Sequence, residues 1–304
     1  MNIKTLRIIL AASFSGLALI SAIQGFSGSL NNHYSGTKYA DWLSQIDDHT
    51  AIRDIDLPGS HNTMSVRAIA DLSGQCQTLS LKDQLNLGVR FLDIRLKEEN
   101  NSLKAVHSFI DQRVSFASIN KTVTSFLNEH PTEFLIMSIK EEADSSKSDI
   151  SFEQALINAL DTDIYLKNQN TVPTYLEEVR GKVLILSRYK DSTIGIPAYD
   201  GWQDSTSFTL SNDIFVQDAY KINKKKEKQT AIINCFKETG HALKINFLSA
   251  YKTDAFPPSN AMSAAKEINP WINKEISNYQ DRGIVLYDYV SIYTMNAFFK
   301  EANK

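Results

Sequence analysis

Short apolar runs alternate with amphipathic segments from about residue 51 to the C-terminus. Apolar runs of this kind between polar residues predict buried strands, whereas apolar residues spaced three and four apart predict helices. Eight runs qualify as strands: Ile52–Leu57, Val89–Leu96, Leu103–Val106, Phe134–Ile139, Lys182–Ser187, Asp213–Gln217, Leu243–Leu248 and Gly283–Tyr289.

Helical patterns fill most of the intervals between these runs: Leu79–Gly88, Phe116–His130, Phe152–Leu160, Tyr175–Arg180, Lys224–Thr239 and Ala264–Gln280, with Thr294–Asn303 after the last strand. Strands that alternate with helices indicate an α/β fold with a parallel sheet. Eight such strands predict a single-domain, closed (β/α)8 TIM-type barrel. Lys97–Ser102 is too short for a helical crossover, so we expect an irregular barrel or an antiparallel pair there.

Polar side chains lie in or directly after seven of the eight predicted strands: His61 with Asn62, Asp93 with Arg95, His107, Lys140, Arg188, Asp218 with Tyr220, and Asp288. The carboxyl ends of parallel barrel strands meet at one mouth, which is where barrel enzymes place their active sites. The pattern therefore predicts an active site built from these residues.

The residue types in this set indicate acid–base chemistry on a phosphate. Two histidines, His61 and His107, can transfer protons at both ends of a breaking bond. Arginine and lysine stabilise the charge of a phosphoryl group in its transition state. A metal site made of the histidines and aspartates is the alternative, which Arg95 and Lys140 disfavour by charge repulsion.

Composition excludes several classes of protein. The 304 residues are 42% hydrophobic and 22% charged, which is typical of a globular enzyme and not of a disordered chain. A net charge of −3 gives no reason to expect a nucleic-acid partner. Two cysteines, Cys76 and Cys235, are too few for a disulfide framework or a cysteine zinc site.

The first 25 residues have the pattern of a secretory signal peptide. Lys4 and Arg7 precede an uncharged, mostly apolar stretch over Ile8–Ile23, with small residues after it. We expect removal of residues 1–25, a barrel domain over residues 26–304 and a secreted protein; an uncleaved membrane anchor is the alternative. Outside the cytoplasm the two cysteines could pair.

Three sequence blocks carry a family resemblance: Asp56–Thr63, Arg90–Arg95 and Phe134–Lys140. Together they resemble the X domain of phosphatidylinositol-specific phospholipase C, and the bacterial members are the more similar branch. Further blocks extend the resemblance over roughly Ala40 to Phe299: Val106–His107, Leu186–Tyr189, Val216–Tyr220, Asn246–Ala250 and Val285–Tyr289. The resemblance implies an irregular (β/α)8 barrel.

The resemblance also implies a reaction, in which phosphatidylinositol is cleaved to diacylglycerol and inositol 1,2-cyclic phosphate. His61 is then the general base on the inositol 2-hydroxyl, and Asp288 orients its ring. His107 protonates the leaving diacylglycerol, while Arg95 stabilises the phosphate. Asp93 is the remaining member of the predicted catalytic set.

Animal members of the family hold calcium at the positions of Asn62, Asp93, Arg95 and Lys140. Because two of these positions are basic here, we expect no metal and no other cofactor. Bacterial members have aspartate at the position of Asn62. We therefore expect His107 to lack a charged partner and to have a lower proton affinity.

The predicted substrate-binding residues are Lys140, Arg188, Asp218, Tyr220 and Asn62. The expected partners are phosphatidylinositol or glycosylated inositol anchors and, transiently, a membrane surface; we expect a monomer. Residues 255–262 and 64–72, the latter as a short helix, are the predicted membrane contacts, while Trp202 is expected to pack against the barrel. Two alternatives stay open: a metal-dependent glycerophosphodiester phosphodiesterase and a non-catalytic inositol-lipid binding module.

Overall fold

The computed structural model describes residues 38–69, 74–160, 163–252 and 260–300. One curled sheet forms the centre of the molecule. Its strands are β1 (Leu57–Ser60), β2 (Phe91–Glu99), β3 (Ser102–His107), β4 (Ile110–Ser115), β5 (Leu135–Ser146), β6 (Tyr165–Leu166), β7 (Val183–Arg188), β8 (Ile196–Pro197), β9 (Ser207–Thr209), β10 (Ile214–Gln217), β11 (Leu243–Phe247) and β12 (Ile284–Tyr287).

The described helices follow the predicted order, except that the helix predicted over Tyr175–Arg180 is only the 3-10 turn Leu176–Glu178. They are α1 (Leu81–Asn86), α2 (Phe116–Glu129), α3 (Phe152–Ala159), α4 (Lys225–Lys237), α5 (Ala261–Glu275) and α6 (Ile292–Phe299), with 3-10 turns at Trp42–Gln45, Ile52–Asp54, Leu176–Glu178 and Ile276–Asn278. None of the helices described is long and apolar enough to span a bilayer.

Seven strands form the parallel wall of the barrel, in the order β7, β5, β2, β1, β12, β11, β10. This confirms the α/β barrel prediction, and the pairing of β1 with β12 brings the two ends of the described chain together. The wall is buried on both faces, as the apolar β7 (fully buried along its length) illustrates.

The predicted closure of the barrel is wrong. β8 pairs with β7 and β9 pairs with β10, but no ladder joins β8 to β9 in the described part of the chain. β8 is two residues long and ends at Pro197, which has no N–H to donate to a further strand. Asn212 Nδ2 donates to Pro197 O at 2.8 Å beside this seam.

The third predicted strand is a hairpin arm and not a barrel strand. β2 continues to Glu99, the chain reverses at Asn100 and Asn101, and β3 returns antiparallel to β2. Both asparagines have positive φ angles, 52° and 61°, which asparagine tolerates in tight hairpin turns. β4 then pairs antiparallel with β3, so the expected antiparallel pair is present.

Two further boundaries differ from the sequence prediction. Residues 52–54 form a 3-10 turn, and the first strand begins only at Leu57. The short helix expected over residues 64–72 is absent from residues 64–69, and Met64 is buried. Residues 70–73 lie outside the described residues, as do residues 255–259 of the expected membrane loop.

Candidate active site

A cavity of about 520 Å³ opens at the carboxyl ends of the parallel strands. Eight of the ten predicted site residues line it: His61, Arg95, His107, Lys140, Arg188, Asp218, Tyr220 and Asp288. The two others, Asp93 and Asn62, are buried beneath its surface.

Strand register brings His61 and Asp288 together. Ser60 ends β1 opposite Tyr287 of β12, so the next residue of each strand emerges at the same height of the mouth. His61 Nδ1 lies 2.7 Å from Asp288 Oδ1, and Arg95 Nη2 lies 3.0 Å from His61 Nε2. Because a guanidinium can only donate, Nε2 is an acceptor and Nδ1 carries the proton donated to Asp288.

Three cationic side chains occupy one row across neighbouring strands. Arg95 of β2 is the register partner of Lys140 of β5, which in turn is the partner of Arg188 of β7. Residues in register on parallel strands point to the same side of the sheet. The mouth therefore presents a row of positive charge that suits an anionic group.

Asp93 lies two residues before Arg95, on the same side of β2, and is fully buried. Its Oδ2 accepts from Arg95 Nε at 3.1 Å, and its Oδ1 accepts from Arg188 Nη1 at 3.2 Å. Burial alone would raise the pKa of Asp93, but the two guanidinium groups outweigh it and hold that pKa well below its usual range. Asp93 is therefore a positioning residue for the arginines and has no access to the cavity.

Glu142 is a cavity residue that the sequence prediction missed. Its carboxylate accepts from Lys140 Nζ at 2.6 Å and from Ser108 N at 3.2 Å, and lies 3.5 Å from Arg95 Nη1. Burial opposes its charge, but Arg95 and Lys140 lower the pKa of Glu142 to about 2. Alternation along β5 places Glu142 on the same face as Lys140, which is the signal that could have identified it.

His107 reaches the mouth at the end of the returning arm β3. Burial is the largest effect on it and lowers its pKa below 6.5, and the charge of Arg95 lowers that pKa further. The direction agrees with the prediction made from Asn62, but the principal cause is loss of solvent.

Asn62 does not line the cavity, so its predicted role as a substrate ligand has no support in the structure. It is 1% exposed, and its backbone N donates to Asp93 Oδ2 at 3.0 Å. Its φ angle of 47° belongs to the tight turn after β1, and this turn directs the side chain inward. A sequence gives no means of seeing this turn geometry.

Trp202 lines the cavity instead of packing only against the outside of the barrel. Its ring lies 3.5 Å from the guanidinium carbon of Arg188, and its Nε1 donates to Asp218 Oδ2 at 3.3 Å. Tyr220, another lining residue, donates through its hydroxyl to Asp204. These contacts join the segment between β7 and β10 to the catalytic mouth.

Among the described residues, the candidate metal ligands at the cavity are already occupied by other partners. Both carboxylate oxygens of Asp93 already accept from arginines, so the positions that hold calcium in animal members do not fit that ion here. Ligand atoms of His61, Cys76 and Asp288 lie within 4.8 Å of one another, but both ring nitrogens of His61 have partners. Cys76 and Cys235 are free and buried.

An α/β barrel whose mouth holds a His–Asp pair, a second histidine and a row of cations defines an acid–base enzyme for a phosphate ester. Comparison with known families agrees: residues 57–189 match the X domain of phosphatidylinositol-specific phospholipase C. Residues 57–189 are thus similar to the X domain of this phospholipase family.

Two curated relatives are similar along most of the chain. The 1-phosphatidylinositol phosphodiesterase of Listeria monocytogenes is 28% identical over 293 residues, which cover 91% of this chain and 90% of that protein. The Staphylococcus aureus protein of the same name (strain Newman) is 28% identical over 279 residues, covering 82% and 87%.

Solved structures show the same fold. The phosphatidylinositol-specific phospholipase C of Listeria monocytogenes matches with a TM-score of 0.70 and 25% identity, over 88% of this chain and 99% of that chain. A structure of the Staphylococcus aureus enzyme gives a TM-score of 0.75 at 22% identity, over 86% and 98%.

Proposed function

We propose that the protein is a phosphatidylinositol-specific phospholipase C that releases diacylglycerol and inositol 1,2-cyclic phosphate. The observation that carries this proposal is the meeting of the His61–Asp288 pair, His107 and Arg95 at one cavity. The names of the relatives and the match to the X domain support the same substrate.

In the first half of the reaction, His61 Nε2 takes the proton of the inositol 2-hydroxyl. This nitrogen is the acceptor in the structure, so the required tautomer is present before substrate binds. The imidazolium that forms keeps its Nδ1 proton on Asp288, whose negative charge stabilises it. The deprotonated oxygen attacks phosphorus in the same molecule, which supplies proximity without a second reactant.

In the second half, the bond from phosphorus to the diacylglycerol oxygen breaks, and His107 protonates that oxygen. Arg95 exchanges its contact with His61 for the non-bridging phosphate oxygens, while Asp93 and Glu142 hold its guanidinium in place. Solvent, or hydrolysis of the cyclic ester with the histidine roles reversed, restores both histidines to their starting protonation states.

Inositol recognition belongs to the side of the cavity formed by Lys140, Arg188, Asp218 and Tyr220. Charged side chains can hydrogen-bond ring hydroxyls, and an aromatic ring can cover the apolar face of the sugar. Trp202 and Glu142 join this set because both line the same space.

The reaction as proposed needs no metal ion. The guanidinium of Arg95 supplies the positive charge at the phosphate, and the neighbouring row of cations would repel a divalent ion. Calcium-independent turnover is accordingly part of the proposal.

Membrane contact is proposed at the hairpin that carries His107. Phe109 follows His107 by two residues, in the turn between β3 and β4, and its side chain is 84% exposed. An exposed aromatic residue beside the mouth can enter the bilayer interface from which the lipid substrate is drawn. Export through the signal peptide at residues 1–25, and a monomeric state, are proposed on the sequence pattern alone.

The proposal is tested by incubating the protein with phosphatidylinositol in detergent micelles and following the products by phosphorus NMR. The expected first product is the five-membered cyclic phosphate, because it forms only by attack of the 2-hydroxyl. Phosphatidic acid or inositol 1-phosphate appearing first would instead indicate attack by water, as in a glycerophosphodiester phosphodiesterase. Absence of any product would favour a binding module.

A further inference from the structure

Lys228 of α4 is a buried lysine next to the proposed inositol site. Its side chain faces the sheet, and only 1% of the residue is exposed. Burial lowers the pKa of Lys228 to about 7, which shows how strongly its surroundings oppose the charge. An apolar residue at this position would avoid that penalty, so the amine calls for a functional explanation.

The side chain of Lys228 donates hydrogen bonds to the residues on either side of Asp218, which lines the cavity. Its Nζ donates to Gln217 Oε1 at 3.2 Å and to Ala219 O at 2.8 Å. These acceptors belong to the residues immediately before and after Asp218. Ala219 N also donates to Gln217 Oε1, at 2.8 Å, so the chain is held on both sides of the aspartate.

The same network is anchored in the barrel wall. Gln217 Nε2 donates to Asn246 Oδ1 at 2.8 Å and to Phe247 O at 2.7 Å, both on β11. Gln217 and Asn246 are fully buried. Lys228 therefore connects a rigid part of the barrel to the turn that carries Asp218.

The position of Asp218 in turn affects the surface that would face inositol. Asp218 Oδ2 accepts from Trp202 Nε1, and the Trp202 ring covers the guanidinium of Arg188. A displacement of Asp218 would thus also move Trp202 and uncover Arg188. On the phosphate side of the cavity, Asp288 contacts His61, and Arg95 is held by Glu142 and by Asp93, which Arg188 also contacts.

We propose that Lys228 is a positioning residue that holds Asp218 against the inositol ring and thereby sets headgroup affinity without taking part in bond breaking. This inference rests on the proposed function. It predicts that loss of the Lys228 amine weakens inositol binding, while the chemical step on bound substrate proceeds as before.

Lys244 provides a matched control. It is also buried, at 6% exposure, and its Nζ donates to two backbone carbonyls, Glu238 O at 2.8 Å and Asp281 O at 2.6 Å. It lies on β11 near the amino ends of the strands, away from the mouth. If Lys228 only stabilised the fold, as Lys244 does, replacing either lysine would have the same effect on inositol binding.

The experiment compares Lys228→Met, Lys228→Gln and Lys244→Met with the unmodified protein. The inhibition constant of myo-inositol is measured together with kcat and KM for phosphatidylinositol micelles. For Lys228→Met we expect inositol binding to weaken about tenfold and KM to rise similarly. We expect the kcat of Lys228→Met to stay within about threefold of the parent value. For Lys244→Met we expect no change in the inhibition constant of myo-inositol or in KM.

A double-mutant cycle shows whether Lys228 acts through Asp218. If it does, Lys228→Met adds little to the loss of inositol affinity already caused by Asp218→Asn. Additive losses, or an unchanged inhibition constant in Lys228→Met, would overturn the proposal. The inhibition constant does not depend on the fraction of the sample that folds, so a low yield does not obscure the result.

Failure of this inference is distinct from failure of the proposed function. An unmodified protein that neither turns over phosphatidylinositol nor binds myo-inositol would refute the function itself. An active parent enzyme with unaltered inositol affinity in the Lys228 variants would refute only the positioning role.

Discussion

The tautomer of the neutral His61 ring follows from its two neighbours. Arg95 can only donate to Nε2, and Asp288 can only accept from Nδ1 while it is ionised. The lone pair that must remove the substrate proton is therefore directed toward Arg95 and the cavity. Among the described residues, His107 Nδ1 has no hydrogen-bond partner, and burial favours the neutral form of the ring.

Substitution of either histidine tests their roles. We expect His61→Ala and His107→Ala each to reduce the rate of cyclic phosphate formation by about 10²–10⁴, the usual contribution of a general acid or base. His49→Ala is the control, because His49 is an exposed histidine whose contact is with Glu177, away from the cavity. Near-parental rates in either cavity variant, with an intact fold by circular dichroism, would overturn the assignment.

The lowered pKa of His107 predicts the alkaline side of the pH profile. A general acid must start protonated, and in the free enzyme this form is lost as pH rises through a pKa below 6.5. We therefore expect kcat/KM to fall with rising pH from below 6.5. Bound phosphodiester carries a negative charge that raises the pKa of His107, so the fall in kcat should come at higher pH. Initial rates across a pH series measure both profiles, and a kcat/KM that stays level through this range would contradict the assignment.

Among the elements, the β3–β4 hairpin is the least regular and the most consequential. It carries His107 back to the mouth, and Glu142 of β5 accepts from Ser108 N in its turn. Because Glu142 also contacts Lys140 and Arg95, its carboxylate links the hairpin to the cationic row. The proposed general acid, His107, is thus positioned by an element outside the parallel wall.

The exposed tip of this hairpin predicts a defect specific to membranes. We expect Phe109→Ala to weaken binding to phosphatidylinositol vesicles by about tenfold to a hundredfold, since burying a phenylalanine side chain contributes about 1.5–3 kcal/mol. Hydrolysis of soluble inositol cyclic phosphate should be unchanged. Vesicle sedimentation and a soluble assay measure the two effects.

Tyr175→Ala is the matched control for the hairpin variant. Tyr175 is also an exposed aromatic residue, 44% exposed, but it precedes β7 and lies toward the amino ends of the strands. Its substitution should leave vesicle binding intact. Equal losses in the two variants would show that the effect is not located at the mouth.

The sequence predicted which side chains meet at the mouth, because parallel strands all end on the same side of a sheet. That rule places Arg95, Lys140 and Arg188 at one mouth, and the register confirms it. His107 does lie at the mouth, as predicted. The rule for parallel strands does not explain its position, because β3 runs antiparallel to β2. Turn geometry and burial depend on tertiary contacts, so Asn62 and Asp93 could not be recognised as buried.

The structure of the segment between β7 and β10 could not be predicted from the sequence either. Its strands β8 and β9 have two and three residues, too few to produce an alternating pattern. Trp202 lies in this segment, and its place over Arg188 follows only from the folded path of the chain. The open seam of the barrel, between β8 and β9, lies in the same segment. It could not be predicted either, because both strands are too short to give a pattern.

At the scale of the whole molecule, a row of three cations lies in a chain that is slightly acidic. The chain has a net charge of −3, yet its catalytic mouth contains the cationic row Arg95, Lys140 and Arg188. Asp93 and Glu142 offset this row from within the protein. The result is a site with fixed positive charge for a phosphate.

The central claim is that two imidazoles and one guanidinium cleave the phosphodiester without a metal ion. The most direct measurement is the initial rate of phosphatidylinositol cleavage after exhaustive chelation, compared with the rate after calcium is added back. The account predicts equal rates under the two conditions. Loss of activity on chelation, with recovery on addition of calcium, would contradict it.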